Sequence, residues 1–186
     1  MLIDVVQSIL TDNEQRIGLR ISEETAERVL DFLRENDIVT PKELRRKVYE
    51  MQDQLDDIRR SVKYIDRRLD TLDEHIRQGE IYLKRRELYQ QYQQLKPKKQ
   101  VAFFEANRAE LVLFESARHY LDACLNGHAL PLEAWKKERE KLIVERGEFS
   151  IEYAALKEQV LDVEKIQRTV ERVLREGNHR QKTREK

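Results

Sequence analysis

LRRKVYEMQDQLDDIRRSVKYIDRRLDTLDEHIRQGEIYL, residues 44–83, decides the fold. Leu44, Val48, Met51, Leu55, Ile58, Val62, Ile65, Leu69, Leu72, Ile76, Gly79 and Leu83 recur at alternating steps of three and four. All but Gly79 are apolar, and the residues between them are almost all charged or polar. That spacing lays one narrow apolar seam along a long helix, as coiled-coil packing requires. A second stripe follows, with Trp135, Leu142, Phe149, Leu156, Val163 and Val170 each one heptad apart.

Working outward, Thr40-Pro41 gives the first stripe a clean start: Thr40 as N-cap, Pro41 at the first helical position and Glu43 at the third. No proline follows until Pro97, so this helix alone would span on the order of 80 Å. LKPKKQ at 95–100 reads as a turn, and a single helix is expected from about 101 to 125. That helix is apolar on more than one face and should sit between neighbours. Asn126-Gly127 should cap its end. Pro131 opens the last helix, running to about Glu176, and GNHRQKTREK at 177–186 reads as a disordered polar tail. Before Thr40, Ser22 starts one short helix carrying Ala26, Val29, Leu30 and Leu33. Leu2–Leu10 is a short apolar segment, acidic and too short for a secretory signal.

The predicted fold is therefore all-α: a long antiparallel coiled-coil stalk with a small helical tip at about 84–131. An elongated up-down-up three-helix bundle is the alternative. The expected divisions are 1–40, an N-terminal segment with one short helix; 41–176, the long helical region; and 177–186, the tail. A parallel homodimer would set Arg139 and Arg146 of the second stripe against their own copies. The nearly equal stripes suggest Val48 opposite Val170 and Gly79 opposite Arg139, with Gly79 marking a bend into the tip.

Thirty-nine per cent of the 186 residues are charged, far above the roughly 25% of globular domains, as long helices with one buried stripe require. Thirty-six basic residues balance 36 acidic ones, so no net field draws the chain to nucleic acid. Cys124 is the only cysteine, which points to a reducing, cytoplasmic setting, and it reads as core packing. No apolar run reaches the roughly 18 residues of a membrane span, so no membrane insertion is expected. His75, His119, His128 and His179 are scattered without metal-ligand spacing, and His75 reads as a solvated helix residue. Tyr82, Tyr89 and Tyr92 read as tip packing. No catalytic, metal-binding or cofactor-binding residue is predicted, and the chain is not expected to be an enzyme. Lys84, Arg85 and Arg86, with Lys96, Lys98 and Lys99 at the turn, are the candidate phosphate contacts, weighed against plain solvated helix faces.

LDFLRENDI at 30–38, YLKRRELYQQY at 82–92, FFEANRAELVLFESARHYL at 103–121, LPLEAWKKEREKL at 130–142 and VEKIQRTVERVLRE at 163–176 occur in that order. This arrangement resembles the C-terminal helical region of relaxases, the mobilization nucleases of conjugative and mobilizable elements of Gram-positive bacteria. Relaxases nick DNA with a separate N-terminal nuclease domain, using a tyrosine nucleophile and a metal held by a histidine cluster. Neither that domain nor that cluster occurs in this sequence, so no catalytic residue carries over. The resemblance implies a non-catalytic module meeting protein partners of a DNA-transfer complex. Non-specific DNA-backbone contact at the tip is the reading of the basic runs, and a monomer or weak dimer is expected. A free-standing coiled-coil scaffold unrelated to DNA transfer is the competing expectation.

Overall fold

A computed structural model describes the backbone of residues 2–184 and the side chains of residues 2–176. Among the described residues the chain is all-α, with seven helices and no strand: α1 (Leu2–Thr11), α2 (Asn13–Gly18), α3 (Glu23–Glu35), α4 (Pro41–Gln94), α5 (Pro97–Ala106), α6 (Arg108–Leu125) and α7 (Leu132–Arg184). They divide into two compact units. Unit 1 comprises Met1–Arg60 and Ile151–Lys186; unit 2 comprises Ser61–Ser150. The expected division at residue 40 is thus replaced, because the N-terminal segment packs with the first turns of α4 and the distal part of α7 instead of standing apart.

In unit 1 the expectation of one short helix before Thr40 is corrected to three. Leu2, Val6, Ile9 and Leu10 recur with helical spacing and are all buried, which makes α1 amphipathic. The Asp12 side chain accepts from Gln15 N at 3.0 Å and starts α2. Ser22 Oγ accepts from Thr25 N at 3.2 Å and starts α3, as its position suggested. α3 ends where Asp37 turns left-handed (φ 51°), letting Ile38 N donate to Leu33 O at 2.9 Å. Both side chains of that last pair are buried, which pins the exit of the helix. α1 and α3 then pack with Leu44 of α4 and with Ile166, Val170 and Val173 of α7 in one continuous aliphatic cluster.

The expected capping box at the start of α4 is formed. Glu43 N donates to Thr40 Oγ1 at 3.2 Å, while Glu43 Oε2 accepts from Thr40 N at 2.9 Å and Val39 N at 2.8 Å. These backbone donors, Val39 first, hold the Glu43 carboxyl below its usual range. α4 then runs as continuous helix through Gly79. α7 is helical past Glu176, where composition suggested it would stop. The side chains beyond Glu176, and with them the expected disordered tail, lie outside the described residues.

In unit 2, α4 and α7 pair antiparallel. Asp66 holds Arg146, and one heptad further along α4 Asp73 holds Arg139, one heptad earlier on α7. The expected register is therefore corrected: Arg139 meets Asp73, nearly a heptad from Gly79. Gly79 serves a different purpose. A Cβ placed there would lie 3.1 Å from Leu132 Cδ1 and 3.4 Å from Leu130 Cδ1, so its missing side chain admits the start of α7. The tip also differs from the single expected helix. The turn is confined to Leu95-Lys96, α5 starts at Pro97, and Asn107 (φ −123°) separates α5 from α6. Asn107 N and Nδ2 both donate to Phe103 O at 3.0 Å, closing α5 before the chain restarts as α6. α6 closes as expected, with Asn126 (φ 47°) and Gly127 (φ 84°) both left-handed. Leu72, Leu121 and Trp135, one each from α4, α6 and α7, form the buried centre of unit 2. The three-helix alternative is realised locally here, on the antiparallel pair.

Candidate functional site

The six basic residues do not act as one group. Arg85 is only 15% exposed at its side chain, and its guanidinium forms an ion pair with Glu110 of α6. Its buried Nε lies off-line for a hydrogen bond to that carboxylate, so the contact is electrostatic. Arg85 is thereby committed to holding α6 on α4. Lys84 and Arg86 are exposed on α4, as are Lys96, Lys98 and Lys99 around the start of α5. Among the described residues none of these five has an ion-pair partner, so each is available to an external anion. Arg86 and the last residue of α4 are about 12 Å apart along the helix axis. The geometry thus gives two basic spots on one unit. Lys96 caps α5 without a side-chain hydrogen bond, its carbonyl accepting from Lys99 N at 2.8 Å and Gln100 N at 3.1 Å.

An aromatic row runs along the same end of α4. Tyr82 and Tyr89 of α4 stack on Phe114 of α6 at 5.0 and 4.3 Å between centroids, and Tyr92 approaches Phe103 and Phe104 of α5. The three tyrosines are therefore packing residues, as expected. The heptad stripe does not reach Leu95, and this row takes over the work of holding α5 and α6 against α4.

The sequence did not single out the polar cluster at the other end of α6. His75 is half-buried, not solvated: its ring lies 4.8 Å from that of Trp135, and its Nδ1 is 2.8 Å from Tyr120 Oη. Cys124 is exposed, not core, with Sγ 3.9 Å from the same nitrogen. Burial, then nearby Arg68, pushes His75 below its usual pKa, against the pull of Glu74 and Glu138. Burial, then Cys124, pushes Tyr120 up. Both directions fit a neutral ring that accepts the Tyr120 hydroxyl proton at Nδ1. Around the ring, Arg68 grips Glu138 with two hydrogen bonds of 2.7 and 2.9 Å. Arg77 and Gln78 hold Glu74, whose carboxyl falls to about 2. The cluster joins α4, α6 and α7. Its one sequence signal was Tyr120 and Cys124, four apart on one face of α6; His75 beside the stripe residue Ile76 gave none.

Among the described residues no group of three or more His, Cys, Asp or Glu could hold a metal ion. No helix searched among them is long and apolar enough to cross a membrane. Comparison of the chain with protein-family models, with curated proteins and with solved structures found no match.

Proposed function

We propose that this chain is a non-catalytic helical interaction module, the C-terminal helical region of a DNA-mobilization relaxase. It works in the cytoplasm through contacts with protein partners of a conjugative transfer complex, and its basic spots touch the DNA backbone. The observation that carries the reading is where the five resembling blocks fall. They supply Leu33 and Ile38 of unit 1, Tyr82 and Tyr89 of the aromatic row, and Leu121 and Trp135 of the unit 2 centre. These blocks therefore include packing residues of both units, which supports the reading. The exposed, unpaired Lys84, Arg86, Lys96, Lys98 and Lys99 support the DNA part. Arg85 is withdrawn from it, because its charge is spent on Glu110.

Crosslinking in the native host, with identification of the captured polypeptide, tests this reading. Capture of a histidine-cluster nuclease, together with a fall in DNA-transfer frequency on deletion of the reading frame, supports it. Ribosomal or cytoskeletal partners with unchanged transfer would replace it with the second reading, a free-standing scaffold. The scaffold is favoured by one observation: the ion pairs across α4 and α7 in unit 2 are satisfied within the chain. Replacing the five free basic residues by glutamine should reduce affinity for duplex DNA and flatten its salt dependence.

A further inference from the structure

We infer that the outward face of α6 is a self-association surface, which pairs antiparallel with the same face of a second copy of this chain. α6 turns Leu111, Phe114, Ala117 and Leu121 inward. On the opposite side Ala109, Val112 and Ser116 are exposed, with Leu113 at one edge; Val112 is 49% and Leu113 42% exposed. At 3.6 residues per turn, Ala109, Val112 and Ser116 fall within about 60° of arc. Arg108 and Glu115 share the other edge of that arc. Neither has an ion-pair or hydrogen-bond partner for its side chain among the described residues. Their charged neighbours are committed elsewhere, Glu110 to Arg85 and Arg118 to Asp122 and Tyr89.

The occupant follows from symmetry. Arg108 lies about 6 Å on one side of Val112 along the helix axis, and Glu115 about 4.5 Å on the other. A two-fold axis beside Val112 brings same-edge residues of two antiparallel helices together. Each Arg108 then meets the Glu115 of the other copy with an axial offset of about 1.5 Å, twice in the dimer. Ala109 meets Ser116, two small residues that let the backbones approach, and Val112 meets Val112. One cation and one anion on a single edge, nearly equidistant from an apolar centre, complement their own copy. The patch is small beside the roughly 800 Å² per partner of a stable interface, so the dimer is weak and forms at roughly 0.1 mM chain and above.

Sedimentation of the full chain from about 10 μM to about 0.5 mM tests this. Arg108→Glu alone and Glu115→Arg alone should each weaken the dimer about fivefold. The two together should restore it to within about twofold, with helicity by circular dichroism unchanged throughout. In a Cys124→Ala background, Val112→Cys should crosslink readily between chains, whereas Tyr49→Cys, more exposed and in unit 1, should not. A chain monomeric at every concentration would overturn the inference. So would a dimer indifferent to both charge reversals, or one not restored by the double reversal.

Discussion

In unit 1, α4 and α7 are joined through a continuous aliphatic cluster to which α1 and α3 also contribute, from Leu2 and Val6 to Leu33, Leu44, Val170 and Val173. In unit 2 the same two helices meet, with α6, at a smaller buried centre, Leu72, Leu121 and Trp135, against which half-buried residues such as Ile76, Leu132 and Leu142 pack. Around that centre lie four ion pairs from α4 to α7: Asp66–Arg146, Arg68–Glu138, Asp73–Arg139 and Glu80–Lys136. Helix register is set differently in the two units. A broad apolar cluster fixes it by shape, since sliding would open cavities. A narrow seam of similar aliphatic residues can slide by a heptad at little apolar cost, and there the charges beside the seam select one register. The ion pairs of unit 2 are half-exposed and individually weak; their value lies in excluding the alternatives.

Hollowing each centre in turn has the largest expected effect. Leu33→Ala in unit 1 and Leu72→Ala in unit 2 each remove a fully buried side chain and should cost about 3 kcal/mol. Trp135 is the only tryptophan and belongs to unit 2, so its fluorescence in urea reports that unit while far-ultraviolet circular dichroism reports both. Leu72→Ala should shift the fluorescence midpoint. If Leu33→Ala shifts it equally, the two units unfold as one and differ in structure but not in energetics.

A smaller effect sharpens the role of charge. Arg139→Glu sets a second carboxylate against that of Asp73 and should destabilise by about 1 kcal/mol, with Asp73→Arg in the same chain restoring most of it. The equivalent exchange at Arg28 and Asp162 of unit 1 should change stability less, because the aliphatic cluster sets the register there. Equal losses in chemical denaturation would remove the distinction.

Gly79 of α4 and Gly147 of α7 should respond differently to substitution. Nothing lies within 4 Å of a Cβ at Gly147, so Gly147→Ala should stabilise by about 0.5–1 kcal/mol through helix propensity alone. At Gly79 the same gain is offset by the tight approach of Leu132 and Leu130, and Gly79→Ala should be near neutral. A clear gain at Gly79 in thermal melts would show that the α4–α7 approach is looser than the geometry implies.

The smallest effect is the pH response of unit 2. His75 titrates lower folded than unfolded, so the unfolded chain binds more protons in that window. Its contribution is complete above about 6.5, the unfolded value, and is lost as pH falls through the lowered folded value. His75→Gln keeps an acceptor for Tyr120 and should flatten the fluorescence midpoint between pH 7 and 5. An unchanged slope would move the origin of any acid response away from this cluster.

Much of the fold was legible because it follows from local rules. The Thr40-Pro41-x-Glu43 box, the Ser22 cap, the Asn126-Gly127 stop and the two heptad stripes are chemistry written within a few residues of where it acts. α1 was less legible, since a short apolar run shows its helical period only when a core exists to bury one side of it. The candidate site was legible in part. The exposed lysines and Arg86 stand where charge alone suggested, whereas Arg85 lost its place to a residue 25 positions away, Glu110. The His75–Tyr120–Cys124 cluster was not legible, because its members come from different helices and have no spacing in common.

By itself, then, the sequence determined that this chain is helical, where its long helices begin, and which side of each is apolar. Those properties arise from contacts within a turn or two of the chain. Only the tertiary structure decided the partner of each charge and the use of each gap: Arg139 with Asp73, Gly79 beneath Leu132, His75 against Trp135. The physical reason is that a heptad repeat looks the same after every seven residues. The pattern specifies that two helices meet, and the distant side chains that meet with them specify where.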